Sequence, residues 1–158
     1  MNLSKIFKNA LLIMLASLLL TACATKKVQN QMQGDVYTGT DTVKYLASGV
    51  ADRVFFATNK SSLTTASRAT LRKQATYLRK NKNLNVTIEG HADERGTREY
   101  NLALGERRAN AARDYLMTYG ISGKRISVIS YGKEKPVNPA SSPLAWSQNR
   151  RSVTVKVN

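Results

Sequence analysis

Cysteine and histidine are nearly absent from this chain. Cys23 is its single cysteine and His91 its single histidine. One cysteine excludes an internal disulfide, and a lone histidine with no thiol beside it makes a poor zinc site. Proline is equally scarce. Pro136, Pro139 and Pro143 are the only three, and their clustering marks a long loop over Gly132 to Pro143. Acidic side chains number 10 against 25 basic ones, for a formal charge of +15, a balance that favours anionic partners. No apolar run is long enough to span a bilayer, which takes roughly 20 residues. Hydrophobic residues nonetheless make up 42% of the 158, enough for a core and too many for wholesale disorder. There is no internal repeat.

The first 22 residues read as a cleaved leader. Lys5 and Lys8 precede an apolar stretch, Ala10 to Leu20, broken only by Ser17, and small residues lead into Cys23. A short apolar segment with a basic start is the pattern of a signal peptide. A lone thiol directly after it suits lipidation, and Leu20-Thr21-Ala22-Cys23 is similar to a bacterial lipobox. Attached acyl chains would contribute about 0.8 kcal/mol per buried CH₂, enough in number to hold the protein on a membrane. Beyond the leader the charge is still +13. Export argues against chromosomes or ribosomes as the anionic partner. A carboxylate-rich cell-wall polymer or an anionic membrane surface fits better.

Residues 23–45 form the lipidated cysteine and a tether rich in Lys, Gln, Asn, Gly and Thr. As a flexible coil such a segment spans roughly 25 Å, and about 70 Å fully stretched. The Val43, Leu46, Val50 spacing also admits a helix over Asp41 to Val50 packed on the domain. Residues 46–158 are the domain. Strands are expected at Arg53–Ala57, Leu84–Glu89, Ile126–Tyr131 and Ser152–Val157, from apolar runs or period-2 alternation. Helices are expected from Thr65 to about Lys80, with Leu71, Ala75 and Leu78 inward, and from Thr97 or Arg98 to Tyr119, with Leu102, Ala109, Ala112, Leu116 and Tyr119 inward. Gly120 and Ile121 then supply a left-handed stop and its apolar partner. A short helix fits Pro143–Gln148. The order is β-α-β-α-β-(α)-β, an α/β sandwich with helices on one sheet, its first three strands parallel.

The stretch from Ile88 to Ala109 holds the chemistry. Asp93 lies in a turn between a strand and a helix, where an anion is stable with or without a ligand. Asn101, Leu104 and Arg108 fall at i, i+3 and i+7 and look back toward that turn, whereas Arg107 is about 100° around the helix. Asp93 and Arg108 can therefore face one cleft, an arrangement that suits a ligand carrying an ammonium and a carboxylate on one small centre. Arginine takes the carboxylate better than lysine because it bonds bidentately. His91 reads as a structural or pocket-wall residue, and Trp146 as a packing residue.

Three groups of strings carry a resemblance. They are Glu89-Gly90-His91-Ala92-Asp93-Glu94-Arg95-Gly96-Thr97; Tyr100-Asn101-Leu102 with Leu104-Gly105-Glu106-Arg107-Arg108-Ala109; and Ser130-Tyr131-Gly132-Lys133-Glu134-Lys135-Pro136 with Asn149-Arg150-Arg151. Over Asp52 to Val157 the chain resembles the OmpA-like peptidoglycan-binding domains, and among them the lipoproteins of the Tol-Pal system. The resemblance implies helices on a mixed four-stranded sheet and non-enzymatic binding to the diaminopimelate of the peptidoglycan stem peptide. Asp93 would take the ammonium and Arg108 the carboxylate, with Arg95, Asn101 and Leu104 lining the pocket. Thr58 and Asn59 match further pocket positions but depart from the family pattern of an aromatic or leucine followed by Asp. Asn59 keeps an acceptor and loses the charge. No metal or cofactor is implied beyond lipid on Cys23. The implied partners are peptidoglycan, the outer membrane, and TolB with other Tol proteins, in a role at cell division and in envelope integrity. Two alternatives stand beside this: a cell-wall hydrolase using Asp93 and Glu94, and an anion binder driven by charge alone.

Overall fold

A computed structural model of the chain describes residues 31–157. The leader, Cys23 and the tether through residue 30 lie outside the described residues. Two hairpins come first: β1 (Met32–Gln33) with β2 (Val36–Tyr37), and β3 (Tyr45–Ala47) with β4 (Val50–Ala51). Then follow β5 (Arg53–Phe55), α1 (Thr65–Lys80), β6 (Asn85–His91), α2 (Arg98–Thr118), a 3₁₀ turn at Gly123–Arg125, β7 (Ile126–Gly132), α3 (Pro143–Asn149) and β8 (Arg151–Val157).

Each helix starts where a hydroxyl caps it. The side chains of Thr64, Thr97 and Ser142 accept from the amides of Ser67, Tyr100 and Ala145, and Pro143 sits in the first turn of α3, where its missing N–H costs nothing. Helix α2 ends on Gly120 at φ +82° with Ile121 buried behind it, the expected left-handed stop.

The four main strands form one mixed sheet in the order β5-β8-β6-β7. β6 and β7 are parallel, and β8 runs antiparallel to both β5 and β6. The first three of these strands therefore share a direction, as the sequence implies, but β8 is inserted between β5 and β6. Helices α1 and α2 cover one face. Val54, Phe56, Leu71, Ala75, Leu78, Val86, Ile88, Ala109, Ala112 and Leu116 fill the space between.

The N-terminal part differs from the expectation. Asp41 to Val50 is no helix, because Gly49 turns the chain at φ +71° and Tyr45 pairs with Ala51 across a hairpin. Residues 31–44 are no free coil either. Tyr37 is buried against Phe55, ring centroids 4.8 Å apart at an edge-to-face angle. Leu102 is 41% exposed rather than inward, because the buried stripe of α2 runs through Asn101, Leu104, Gly105, Arg108 and Ala112. In β8 the valines do not all point inward. Register pairs Thr154 with Ile88, so Ser152 and Thr154 lie beneath the helices and Thr154 bonds Gln74 at 2.8 Å. Val155 and Val157 stay exposed on the uncovered face.

One contact sets the spacing of the whole site. Helix α2 meets β6 through Gly105 and Gly90, so closely that a Cβ on Gly90 would lie 1.8 Å from the Gly105 carbonyl oxygen. That obstacle is backbone, which no rotamer change relieves. Gly90→Ala should destabilise the fold by about 3 kcal/mol or more, measured by chemical denaturation. An unchanged midpoint would show that α2 has room to retreat.

Candidate functional site

Strand β6 delivers Asp93 two residues beyond its end, and α2 begins five residues later. Asp93 is 7% exposed and Arg108, in the middle of α2, is 0% exposed. The stripe of Asn101, Leu104 and Arg108 does face this turn, and all three are buried. Asn101 donates to the Arg95 carbonyl at 2.8 Å, which holds the turn against the start of the helix. Arg107 lies exposed on another face, over the Tyr100 ring.

Arg108 does not touch Asp93 directly. Its Nε donates to the Lys60 carbonyl at 2.9 Å, its Nη1 to His91 at 2.8 Å and its Nη2 to Ala57 at 3.1 Å. One side chain thus ties the loop after β5 to the end of β6. Three of the five N–H bonds of the guanidinium are engaged this way, and a guanidinium has two more to offer. Burial, reinforced by the nearby charge of Arg150 and opposed by that of Asp93, pushes its pKa down to about 10, so it remains a cation at neutral pH.

Asp93 is gripped by two arginines. Arg95 reaches its carboxylate through Nε at 3.2 Å and Nη2 at 2.7 Å, and adds its own backbone amide at 3.1 Å. Arg150 donates from Nη1 at 3.2 Å. Burial alone would raise the Asp93 carboxyl, but these hydrogen bonds outweigh it and hold the group below its ordinary value. The two arginines differ in exposure. The Arg95 side chain is 43% exposed and lies 4.3 Å over the Trp146 ring, whereas that of Arg150 is 3% exposed and also bonds the Phe56 carbonyl at 3.1 Å.

Thr58 is half-buried in the loop above Arg108 and Asn59 is exposed at φ +55°. Asparagine tolerates that left-handed geometry better than most residues, so Asn59 shapes the loop more evidently than it presents an acceptor. The Thr58 amide donates to the Asp35 carboxylate, and Arg150 donates to the Asp35 carbonyl. Sequence reasoning assigns no pocket role to Asp35, Arg150 or Lys133. Arg150 sits within a matched string, yet only its position between α3 and β8 brings it to Asp93. Lys133 bonds the carbonyls of Glu94 and Gly96 and so pins the turn. Trp146 does more than pack: its indole N–H donates to Glu94 at 2.8 Å. Cys23, the expected lipidation site, lies outside the described residues.

The His91 side chain is structural and turns away from Asp93, into a cleft it shares with Glu89, Arg53, Lys135 and Arg151. Its ring is 1% exposed, lies 5.6 Å from Tyr131, and has no closer acid than Glu89 at 3.5 Å. Burial, then the charges of Arg151, Arg53 and Lys135, push its pKa down to about 3. Among the described residues no three His, Cys, Asp or Glu side chains converge in a metal-binding cluster. The unfolded chain binds a proton on His91 below about 6.5, the folded one only near 3. The group's contribution to stability is therefore fully present above pH 6.5 and declines as pH falls toward 3. The sole imidazole of the chain should keep its neutral-form NMR shift down to about pH 4. An inflection near 6.5 would contradict the buried placement.

Known proteins resemble this chain in sequence and fold. The OmpA family model matches residues 55–150. The peptidoglycan-associated lipoprotein of Rhizobium meliloti is 49% identical, the match covering 95% of this chain and 89% of that protein. Its counterpart in Agrobacterium fabrum is 44% identical over 96% of this chain and 89% of that one. Among solved structures, the peptidoglycan-associated lipoprotein of Burkholderia pseudomallei aligns with a TM-score of 0.65 at 39% identity, covering 67% of this chain and 90% of that one. The C-terminal domain of Helicobacter pylori MotB aligns with a TM-score of 0.63 at 20% identity over 68% and 84%, a likeness of fold. With its fold, its strand-turn-helix strings and its near full-length relatives in agreement, this chain belongs to the OmpA family and, within it, to the peptidoglycan-associated lipoproteins.

Proposed function

We propose that this protein is an outer-membrane lipoprotein that grips peptidoglycan noncovalently through the diaminopimelate of the stem peptide. It is a binding protein, not an enzyme: the names of its relatives describe association with a polymer and no reaction. The observation that carries the ligand reading is the pairing of Asp93 with Arg108 around one strand-helix turn. Both are nearly shut off from water, so each would interact strongly with an opposite charge on a ligand.

Diaminopimelate presents an ammonium and a carboxylate on one carbon. The ammonium would take the place of the exposed Arg95 guanidinium on Asp93, leaving Arg150 as the fixed partner. The carboxylate would meet the unengaged N–H groups of Arg108 and the amide of the Thr58 loop. Leu104 and Asn101 would form the floor. Acyl chains on Cys23 would anchor the protein in the outer membrane with the domain in the periplasm, and TolB with other Tol proteins would be its partners in envelope integrity and constriction at division. No helix of the described residues is long and apolar enough to cross a membrane.

Co-sedimentation with purified peptidoglycan at about 0.15 M salt, where the Debye length is about 8 Å, tests the pocket. Asp93→Ala should weaken binding tens- to hundreds-fold, the loss of one or two charge-assisted hydrogen bonds. Arg108→Ala should do the same, with circular dichroism confirming that the loop it clamps has not unfolded the domain. Asp93→Ala also makes a basic protein more basic. Binding by charge alone would therefore be unchanged or stronger in that variant, which would refute the pocket. Soluble fragments released from the sacculi would instead revive the hydrolase reading.

A further inference from the structure

The turn between β1 and β2 lies over the site just described. Its Asp35 carboxylate accepts from the Thr58 amide at 2.5 Å, and the Asp35 carbonyl accepts from Arg150, the same guanidinium that holds Asp93. The Thr58 amide, beside a cation, is also the place assigned above to the carboxylate of the ligand. Burial would raise the Asp35 carboxyl, but bonds from the Thr58 amide and hydroxyl and the charge of Arg150 outweigh it and keep it ionised. A carboxylate of the chain itself thus stands where a carboxylate of the stem peptide would bind.

The arm that carries Asp35 packs on the domain through Tyr37 and Phe55 but leaves space beside that contact. A groove of about 610 Å³ runs between arm and domain, lined by Val36, Tyr37 and Val43 on one side and Phe55, Ser67 and Thr70 on the other. The Tyr37 hydroxyl, at this groove, and Thr42 Oγ1, elsewhere in the arm, are buried without a hydrogen-bond partner, a cost that repacking or withdrawal of the arm would relieve. Beneath the arm, Asp93 and Arg108 are 7% and 0% exposed.

We infer that Asp35 is an internal ligand that closes the peptidoglycan pocket, and that the arm carrying it must lift before the stem peptide enters. The inference rests on the pocket reading above. A binding-competent state populated only in part lowers the apparent affinity by that fraction, so the arm sets how tightly the wall is held.

The full chain in mild detergent, wild type and Asp35→Ala, is titrated with a soluble diaminopimelate-containing stem tripeptide. Asp93→Ala is added in each background. Asp35→Ala should bind about ten-fold more tightly, the worth of one net hydrogen bond to a charged group, and Asp93→Ala should bind poorly in both. Asp35→Asn, which keeps the shape and loses the charge, should show the same direction of change. Equal or weaker binding by both Asp35 variants would overturn the inference. If Asp93→Ala binds like its parent in both backgrounds, the pocket reading fails instead. The arm is then judged by hydrogen exchange at the Thr58 amide, which should be faster in Asp35→Ala; an unchanged rate would overturn the internal ligand independently.

Discussion

A guanidinium with no exposed surface sits at the centre of this domain. Arg108 holds the carbonyls of Ala57, Lys60 and His91, joining the loop after β5 to the end of β6, and it does so from the middle of α2. Taking a cation out of water costs several kcal/mol unless its hydrogen bonds and a counter-charge compensate. Three carbonyl dipoles supply the first and Asp93 the second. The arrangement is possible only because α2 comes down onto β6 through Gly90 and Gly105. With any side chain at either position the helix would stand off, and the guanidinium would fall short of His91.

The charges around Arg108 form a graded set. Arg150 is as buried as Asp93 and bonds fixed backbone, while Arg95 reaches the same carboxylate from solvent and rests on Trp146. A ligand ammonium can displace the outer arginine without stranding Asp93, because the inner one stays. The turn itself is pinned from outside by Lys133 and from inside by Asn101. On the proposed reading, such a site is fixed where a zwitterion would be oriented and open to exchange at its mouth. Its three arginines, Arg95, Arg108 and Arg150, outnumber its two acids, Asp93 and Asp35, in keeping with the balance of the whole chain, +15, which would draw the domain toward a polymer rich in carboxylates.

Much of this was legible in the sequence wherever contacts are local. The i, i+3, i+7 stripe of Asn101, Leu104 and Arg108, the start of α2 at Thr97, and the Gly120 stop all follow from helical period and side-chain chemistry over a few residues. Leu102 misled because an apolar side chain was assumed to face inward, whereas Gly105 and Asn101 claim that face for backbone contact and a hydrogen bond. The Val43, Leu46, Val50 spacing fits a helix as well as a hairpin, and the left-handed turn at Gly49 decides it. Insertion of β8 between β5 and β6 left no local signal. The network around Asp93 was the least visible part. Arg150 meets Asp93 across 57 residues and Asp35 across 115, separations over which no periodicity carries information.

On the proposed reading, one turn recognises an ammonium and a carboxylate together. Calorimetric titration with two stem tripeptides that differ only in their third residue tests it most directly. One would carry diaminopimelate and the other lysine, which keeps the ammonium and lacks the carboxylate. The first should bind and the second should bind at least tens-fold more weakly, the loss of the charge-assisted bonds around Arg108 and Thr58. Equal affinity for the two would contradict it, leaving a basic domain that holds the wall by charge.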